Sequence, residues 1–169
     1  DGDTTGAEQL LTNAQAASEQ AREPRSCELF TPVPLARSRR RLAIETALRR
    51  AVAAGELHLV YQPRVASDTL DITGVECLLR WEHPQLGSVG PEEFVPIAEE
   101  TGLIDQLGDW VLDEACRQLA SWRARFDDDF FVSVNIAARQ LRQPNFAARI
   151  NAALEKTRLP AHALEIEIT

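Results

Sequence analysis

This sequence predicts an α/β fold in which a parallel sheet is wrapped by helices and entered through an antiparallel first strand. Three observations lead there. From Val75 onward the chain reads as strand, helices, strand, helix, strand, an order that calls for a parallel sheet with helical crossovers. Between the first two strands lies only a short polar connector, Ala66 to Asp71, whereas a parallel crossover takes about a dozen residues or more. Finally, three strand-like runs each carry an oxygen-bearing polar side chain near their carboxyl end, where a buried strand should be apolar.

Taken in order, Ala7 to Ala21 is alanine-rich and helical in propensity, and Glu23-Pro24 ends it. Ser26 to Phe30 fits a short terminal strand, and Thr31-Pro32-Val33-Pro34 reads as a linker. Leu35 to Ala54 is expected to be a helix, with Leu42, Ala43, Thr46, Ala47, Arg50 and Ala51 near helical spacing and Gly55 as its stop. Leu57 to Val65 alternates as a strand does, and the next strand begins near Ile72. Pro91 suits the first position of a short helix through Glu100, with Gly102 just past its end. A longer helix follows, striped by Leu103, Leu107, Val111, Ala115, Leu119 and Trp122. Phe130 to Ile136 is the next strand. The helix after it carries Phe146, Ile150, Ala153 and Leu154 and closes at Leu159-Pro160, before a last strand from Leu164 to Thr169.

Composition bounds the function. With 169 residues and 44% hydrophobic content the chain buries a sizeable core, as one domain or part of one. A formal charge of -8 argues against DNA, RNA or an anionic membrane as partner, while leaving room for a small anionic ligand held by a few arginines. Cys27, Cys77 and Cys116 are odd in number and lack a CxxC pairing, so they read as free thiols in a reducing, cytoplasmic setting. No signal peptide opens the chain and no stretch is apolar enough to span a bilayer, so any membrane anchor is left to a longer parent. The absence of methionine fits a piece of such a parent. Lys156 is the only lysine, and arginine carries the rest of the basic charge.

The strand period of two puts Glu76, Leu78 and Arg80 on one face, Asn135 with Ser133, and Glu165 with Glu167. Carboxylate and amide oxygens are hard ligands suited to a divalent cation. The alternative for each alone is a strand-end side chain turned to water. Their recurrence at three successive strand ends favours a shared site, since the carboxyl ends of barrel strands lie on one face. Arg80 is placed to hold a phosphate, or else to pair with Glu82 or Glu76. Gln62 is a candidate contact to a base, or a satisfier of backbone. His58, His83 and His162 lack ligand-like spacing. The run Arg37, Arg39, Arg40, Arg41 reads as a solvated helix face.

Tyr61-Gln62-Pro63, Glu76-Cys77-Leu78-Leu79-Arg80-Trp81, Glu82-His83-Pro84, Phe94-Val95-Pro96-Ile97-Ala98-Glu99, Ser133-Val134-Asn135-Ile136 and Glu167-Ile168-Thr169 together resemble the first half of the EAL domain, the cyclic di-GMP phosphodiesterase module of bacterial signalling proteins. The segment before them is similar, more weakly, to the end of a GGDEF domain. The resemblance implies residues 1-34 as a GGDEF-like remnant with linker, and 35-169 as the N-terminal half of an EAL domain with a partial TIM-like (βα)8 barrel whose first strand is antiparallel. It further implies Glu76, Asn135 and Glu167 as ligands of Mg²⁺ or Mn²⁺ in a two-metal site. Gln62, Leu78 and Arg80 become substrate-binding residues for cyclic di-GMP, which is opened to linear pGpG. A homodimer through the complete EAL domain and sensory or GGDEF domains in the parent are the expected partners.

Two departures from the family pattern matter. Cys77 replaces the usual alanine on the strand's opposite face, and Ala137 stands where serine often follows the asparagine, which puts a supporting hydrogen bond in doubt. The family's Asp-Asp pair and catalytic lysine are expected past Thr169, and Lys156 does not match that lysine. A non-catalytic cyclic di-GMP receptor is the alternative function.

Overall fold

The computed structural model describes residues 32–125 and 129–168, with side chains from residue 36 onward. The expected helix at Ala7 to Ala21, the strand at Ser26 to Phe30 and the thiol of Cys27 fall outside the described residues. The chain divides into two compact units, Asp1–Thr46 and Ala47–Thr169, and every strand belongs to the second.

Helix α1 runs Pro32–Ala54, so the expected linker Pro32-Val33-Pro34 is its first turn. Proline is tolerated there because the first backbone N–H groups of a helix have no partner within it. Its apolar phase also differs from the expectation. Ile44, Leu48 and Ala51 are the buried positions, whereas Leu42 is 64% exposed. Alanines and arginines recur along most of the helix, so propensity supports it but leaves its inward face to be chosen by packing.

Strand β1 (Leu57–Val65) pairs antiparallel with β2 (Ile72–His83), as the short connector requires. A short β3 (Gly87–Val89) folds back on the end of β2 as an antiparallel hairpin. His83 is the reason the turn is stable: its Nδ1 accepts the backbone N–H of Gln85 and of Leu86, each at 3.1 Å. Helix α2 (Pro91–Thr101) ends at Gly102, whose φ of 77° is the left-handed region that favours glycine. Helix α3 (Ile104–Arg123) buries Leu107, Val111, Ala115 and Leu119 along the expected stripe.

Strand β4 (Phe131–Ile136) pairs parallel with β2, and β5 (Leu164–Ile168) pairs parallel with β4. Between them come a single-turn α4 (Ala138–Leu141), α5 (Phe146–Thr157) and one 3₁₀ turn, Ala161–Ala163. Helix α5 stops before Leu159-Pro160, with Arg158 in a left-handed cap. The sheet order is β1-β2-β4-β5, with β1 and β5 at its edges.

The core lies between the sheet and its helices. Val75, Cys77, Val132, Val134 and Ile136 from the strands meet Leu112, Ala115, Cys116 and Leu119 of α3 and Phe146, Ala153 and Leu154 of α5. Burying such side chains contributes roughly 1.5–3 kcal/mol each. Tyr61 extends this core edge-on to Trp122, with ring centroids 4.7 Å apart. At the far end of β2, buried Trp81 donates its indole N–H to Glu56 at 3.0 Å and packs edge-on against Phe94.

Candidate functional site

Register brings the sequence-predicted residues onto the sheet face opposite that core. Gln62 on β1 stands beside Glu76 on β2; Glu76 stands beside Ser133 on β4; Ser133 and Asn135 stand beside Glu165 and Glu167 on β5. Paired residues of neighbouring strands project to the same side, so these side chains form one polar surface. Leu78 and Arg80 continue it along β2. Glu76, Asn135 and Glu167 are half-buried, and Gln62 is exposed.

Two of the expected ligands touch directly. Asn135 Nδ2 donates to Glu76 Oε1 at 2.7 Å, which leaves the amide oxygen of Asn135 as the group available to a cation. Glu167 is held from elsewhere. Arg64 Nη1 donates to Glu167 Oε1 at 2.8 Å and to Glu165 Oε2 at 3.1 Å, reaching from one edge strand to the other. Its guanidinium lies 5.5 Å from the centre of the Phe131 ring. Gly74 makes room for that ring, because a Cβ there would stand 2.8 Å from its Cδ1 and Cε1 atoms. Arg64 was missed from sequence, although its period-two spacing from Gln62 already put it on this face.

Ser133 is fully buried at the centre of the row, and its hydroxyl has no hydrogen-bond partner. A buried hydroxyl left unpaired costs about 1–3 kcal/mol. Such an atom beside carboxylates and an amide oxygen is what a hydrated cation would satisfy, so the donor set fits a hard divalent metal. Among the described residues no three His, Cys, Asp or Glu side chains gather as a metal cluster. The set here is two carboxylates and an amide, enough for part of a coordination sphere.

Arg80 makes neither ion pair considered from sequence. Its Nη1 donates to the Leu79 carbonyl at 2.9 Å, and the side chain lines a cleft of about 210 Å³ with Leu78, Asn135 and Ala137. At Ala137 the backbone N–H is taken by Gln140 Oε1 at 3.1 Å, and Gln140 Nε2 donates to Ile104 O at 3.2 Å. A buried glutamine thus anchors the β4 exit to α3. Cys77 points into the core as expected. Burial first, then Cys116 and Glu76, push its thiol up to about 12, and burial, then Asp113, push Cys116 up to about 11. Neither is a reactive thiolate at neutral pH. Lys156 pairs with Asp113 of α3 at 2.8 Å, on the outer helices and away from this face.

The EAL domain model matches residues 45–169. The chain belongs to the EAL domain family. Its sheet is accordingly part of a TIM-like barrel. The EAL chain is 38% identical over 170 residues to the bifunctional diguanylate cyclase/cyclic di-GMP phosphodiesterase MucR of Pseudomonas aeruginosa, covering 99% of this chain and 25% of that protein. It is 36% identical over 162 residues to the oxygen sensor protein DosP of Escherichia coli, covering 95% and 20%. The solved structure of the PaMucR phosphodiesterase with c-di-GMP superposes with a TM-score of 0.71 at 41% identity, over 73% of this chain and 50% of that one. The EAL chain therefore spans about half of that solved chain and a fifth to a quarter of the two curated relatives. Among the described residues no helix is long and apolar enough to cross a membrane.

Proposed function

We propose that this EAL chain carries the metal-binding half of a cyclic di-GMP phosphodiesterase that opens one phosphodiester to give linear pGpG. The observation that carries the reading is that Gln62, Glu76, Asn135 and Glu167 share one sheet face of a family member, with Gln62 paired to Glu76, Asn135 paired to Glu167, and Asn135 hydrogen-bonded to Glu76. Glu76 and Glu167 offer carboxylates and Asn135 an amide oxygen to divalent cations, Mg²⁺ or Mn²⁺. When bound, such a pair supplies the Lewis acidity for in-line attack of water on phosphorus. Arg80 binds a phosphate through its guanidinium, Leu78 packs against the ligand, and Gln62 hydrogen-bonds a base. Asn135 fixes the Glu76 carboxylate through its 2.7 Å hydrogen bond, so the ligand is oriented before a cation arrives.

None of the residues described here is assigned the role of general base. The bifunctional name of MucR supports a parent in which residues 1-34 end a GGDEF-like domain and 35-169 begin the EAL domain, and a homodimer through the complete domain belongs to the same reading.

Replacing Glu76 by alanine in the full-length protein tests the proposal. It removes an anionic ligand from a site that must offset the charge of two cations, and hydrolysis of cyclic di-GMP is expected to fall by at least about a thousandfold while binding survives in part. Ordinary turnover of Glu76→Ala in Mg²⁺ defeats the assignment. Binding without turnover in the wild type points instead to the receptor.

A further inference from the structure

We infer that Arg64 is the resident counter-ion of this ligand face: it holds Glu167 while no divalent cation is bound and yields it, shifting onto Glu165, when one binds. The inference rests on the reading of Glu167 as a ligand. Its basis is a competition for one oxygen. Glu167 Oε1 already accepts a charge-assisted hydrogen bond from Arg64 Nη1 at 2.8 Å, and a fixed positive charge that close opposes a divalent cation on the same carboxylate. Arginine does not relieve this by losing its proton, so it has to move.

The surroundings give it somewhere to go. The same Nη1 reaches Glu165 Oε2 at 3.1 Å, two residues back on β5. Glu165 is not among the expected ligands, so the guanidinium stays paired after releasing Glu167. The side chains of Arg64, Glu165 and Glu167 are 41%, 48% and 34% exposed, so the exchange takes place beside water and needs no buried charge to be uncovered. The Phe131 ring, packed close over Gly74, lies 5.5 Å from the guanidinium and gives it a surface to move along. The Asn135–Glu76 hydrogen bond and the Arg64 pairs with Glu165 and Glu167 thus order the acidic face, and Arg64 offsets part of its charge.

The test is Mn²⁺ affinity, measured without substrate by calorimetry on the full-length protein. Arg64→Met keeps the aliphatic stem and removes the charge. It is expected to bind Mn²⁺ about tenfold more tightly and to melt at a lower temperature than wild type in the absence of metal. Arg64→Lys keeps the charge and is expected to stay near wild type. In the wild type, the Arg64 guanidinium signal in side-chain NMR spectra is expected to shift as Mg²⁺ is added, a readout independent of whether Arg64→Met folds. A folded Arg64→Met that binds Mn²⁺ no better than wild type, or an Arg64 signal unmoved at saturating Mg²⁺, overturns the counter-ion role alone. Wild-type protein that binds no Mn²⁺ overturns both this inference and the ligand set beneath it.

Discussion

The two faces of strands β2 and β4 are built from alternate residues of the same segments, yet they solve opposite problems. On the helix side Val75, Cys77, Val132, Val134 and Ile136 are all buried, and their requirement is volume and apolarity. On the other side Glu76, Arg80 and Asn135 stay half-buried, and what matters is which atom faces which, as in the Asn135–Glu76 and Arg64–Glu167 pairs. Stability is concentrated on the first face and chemistry on the second. Mutations should therefore separate cleanly into those that melt the protein and those that disable a folded one.

The sharpest way to break this division is from the core side. Leu119 is fully buried on α3 within the cluster that covers the sheet. Leu119→Ala is expected to cost about 2–5 kcal/mol through lost burial and the cavity left behind. Denaturant unfolding measures it. Mn²⁺ affinity of the fraction that remains folded should be unchanged, and a selective loss of metal binding without loss of stability would mean the faces are coupled.

From the opposite side, Arg80→Ala is expected to leave stability within about 0.5 kcal/mol, since the side chain makes one hydrogen bond to its neighbour's carbonyl. Cyclic di-GMP binding should weaken by about 1.5–3 kcal/mol, the worth of a charge-assisted phosphate contact. An unchanged dissociation constant contradicts the phosphate role.

Alkaline pH reads the core face alone. The thiols of Cys77 and Cys116, ordinarily near 9.0, are held up to about 12 and 11, and burial, then the charges of Cys77 and Glu114, raises the Tyr61 hydroxyl from 10.0 to about 12. Between those ordinary and raised values the unfolded chain has lost protons the native chain keeps. The slope of stability with pH is therefore negative there. Melting temperature is expected to hold up to pH of about 8 and to fall from about 9 upward. Cys77→Ala, the smaller residue usual in the family, should flatten part of that fall; a profile indifferent to it would mean Cys77 does not titrate this way.

Much of this was legible in the sequence because the strand period acts locally. Asn135 and Glu167 stand next to the last residues of their strands as expected, whereas Glu76, expected near a strand end too, stands mid-strand because β2 continues to His83; the antiparallel β1 followed from the length of one connector. What escaped depended on partners distant in sequence. Arg64 could be placed on its face but not given Glu167, which lies 103 residues away with two strands between them in the sheet. The α1 phase escaped because its alanines and arginines fit more than one buried face. The start of α1 at Pro32 was misread because proline both breaks helices and opens them.

Ser133 does not respect the division between the faces and gives it its finest test. It belongs to the polar face by register, beside Glu76 and Glu165, yet it is as buried as the core and its hydroxyl is unpaired. If that hydroxyl only fills space, Ser133→Ala removes an unsatisfied polar atom and changes nothing else. If instead it meets the water shell of a cation, the same substitution helps the metal-free protein and harms the metal-bound one. The second outcome is expected. Melting without metal should be unchanged or raised by up to about 1 kcal/mol, because the buried hydroxyl has no bond to lose. Mn²⁺ binding should weaken about three- to tenfold, the equivalent of one ordinary hydrogen bond. Opposite signs in the two measurements would assign Ser133 to the functional face, whereas a lowered melting temperature in the metal-free protein would assign it to the core.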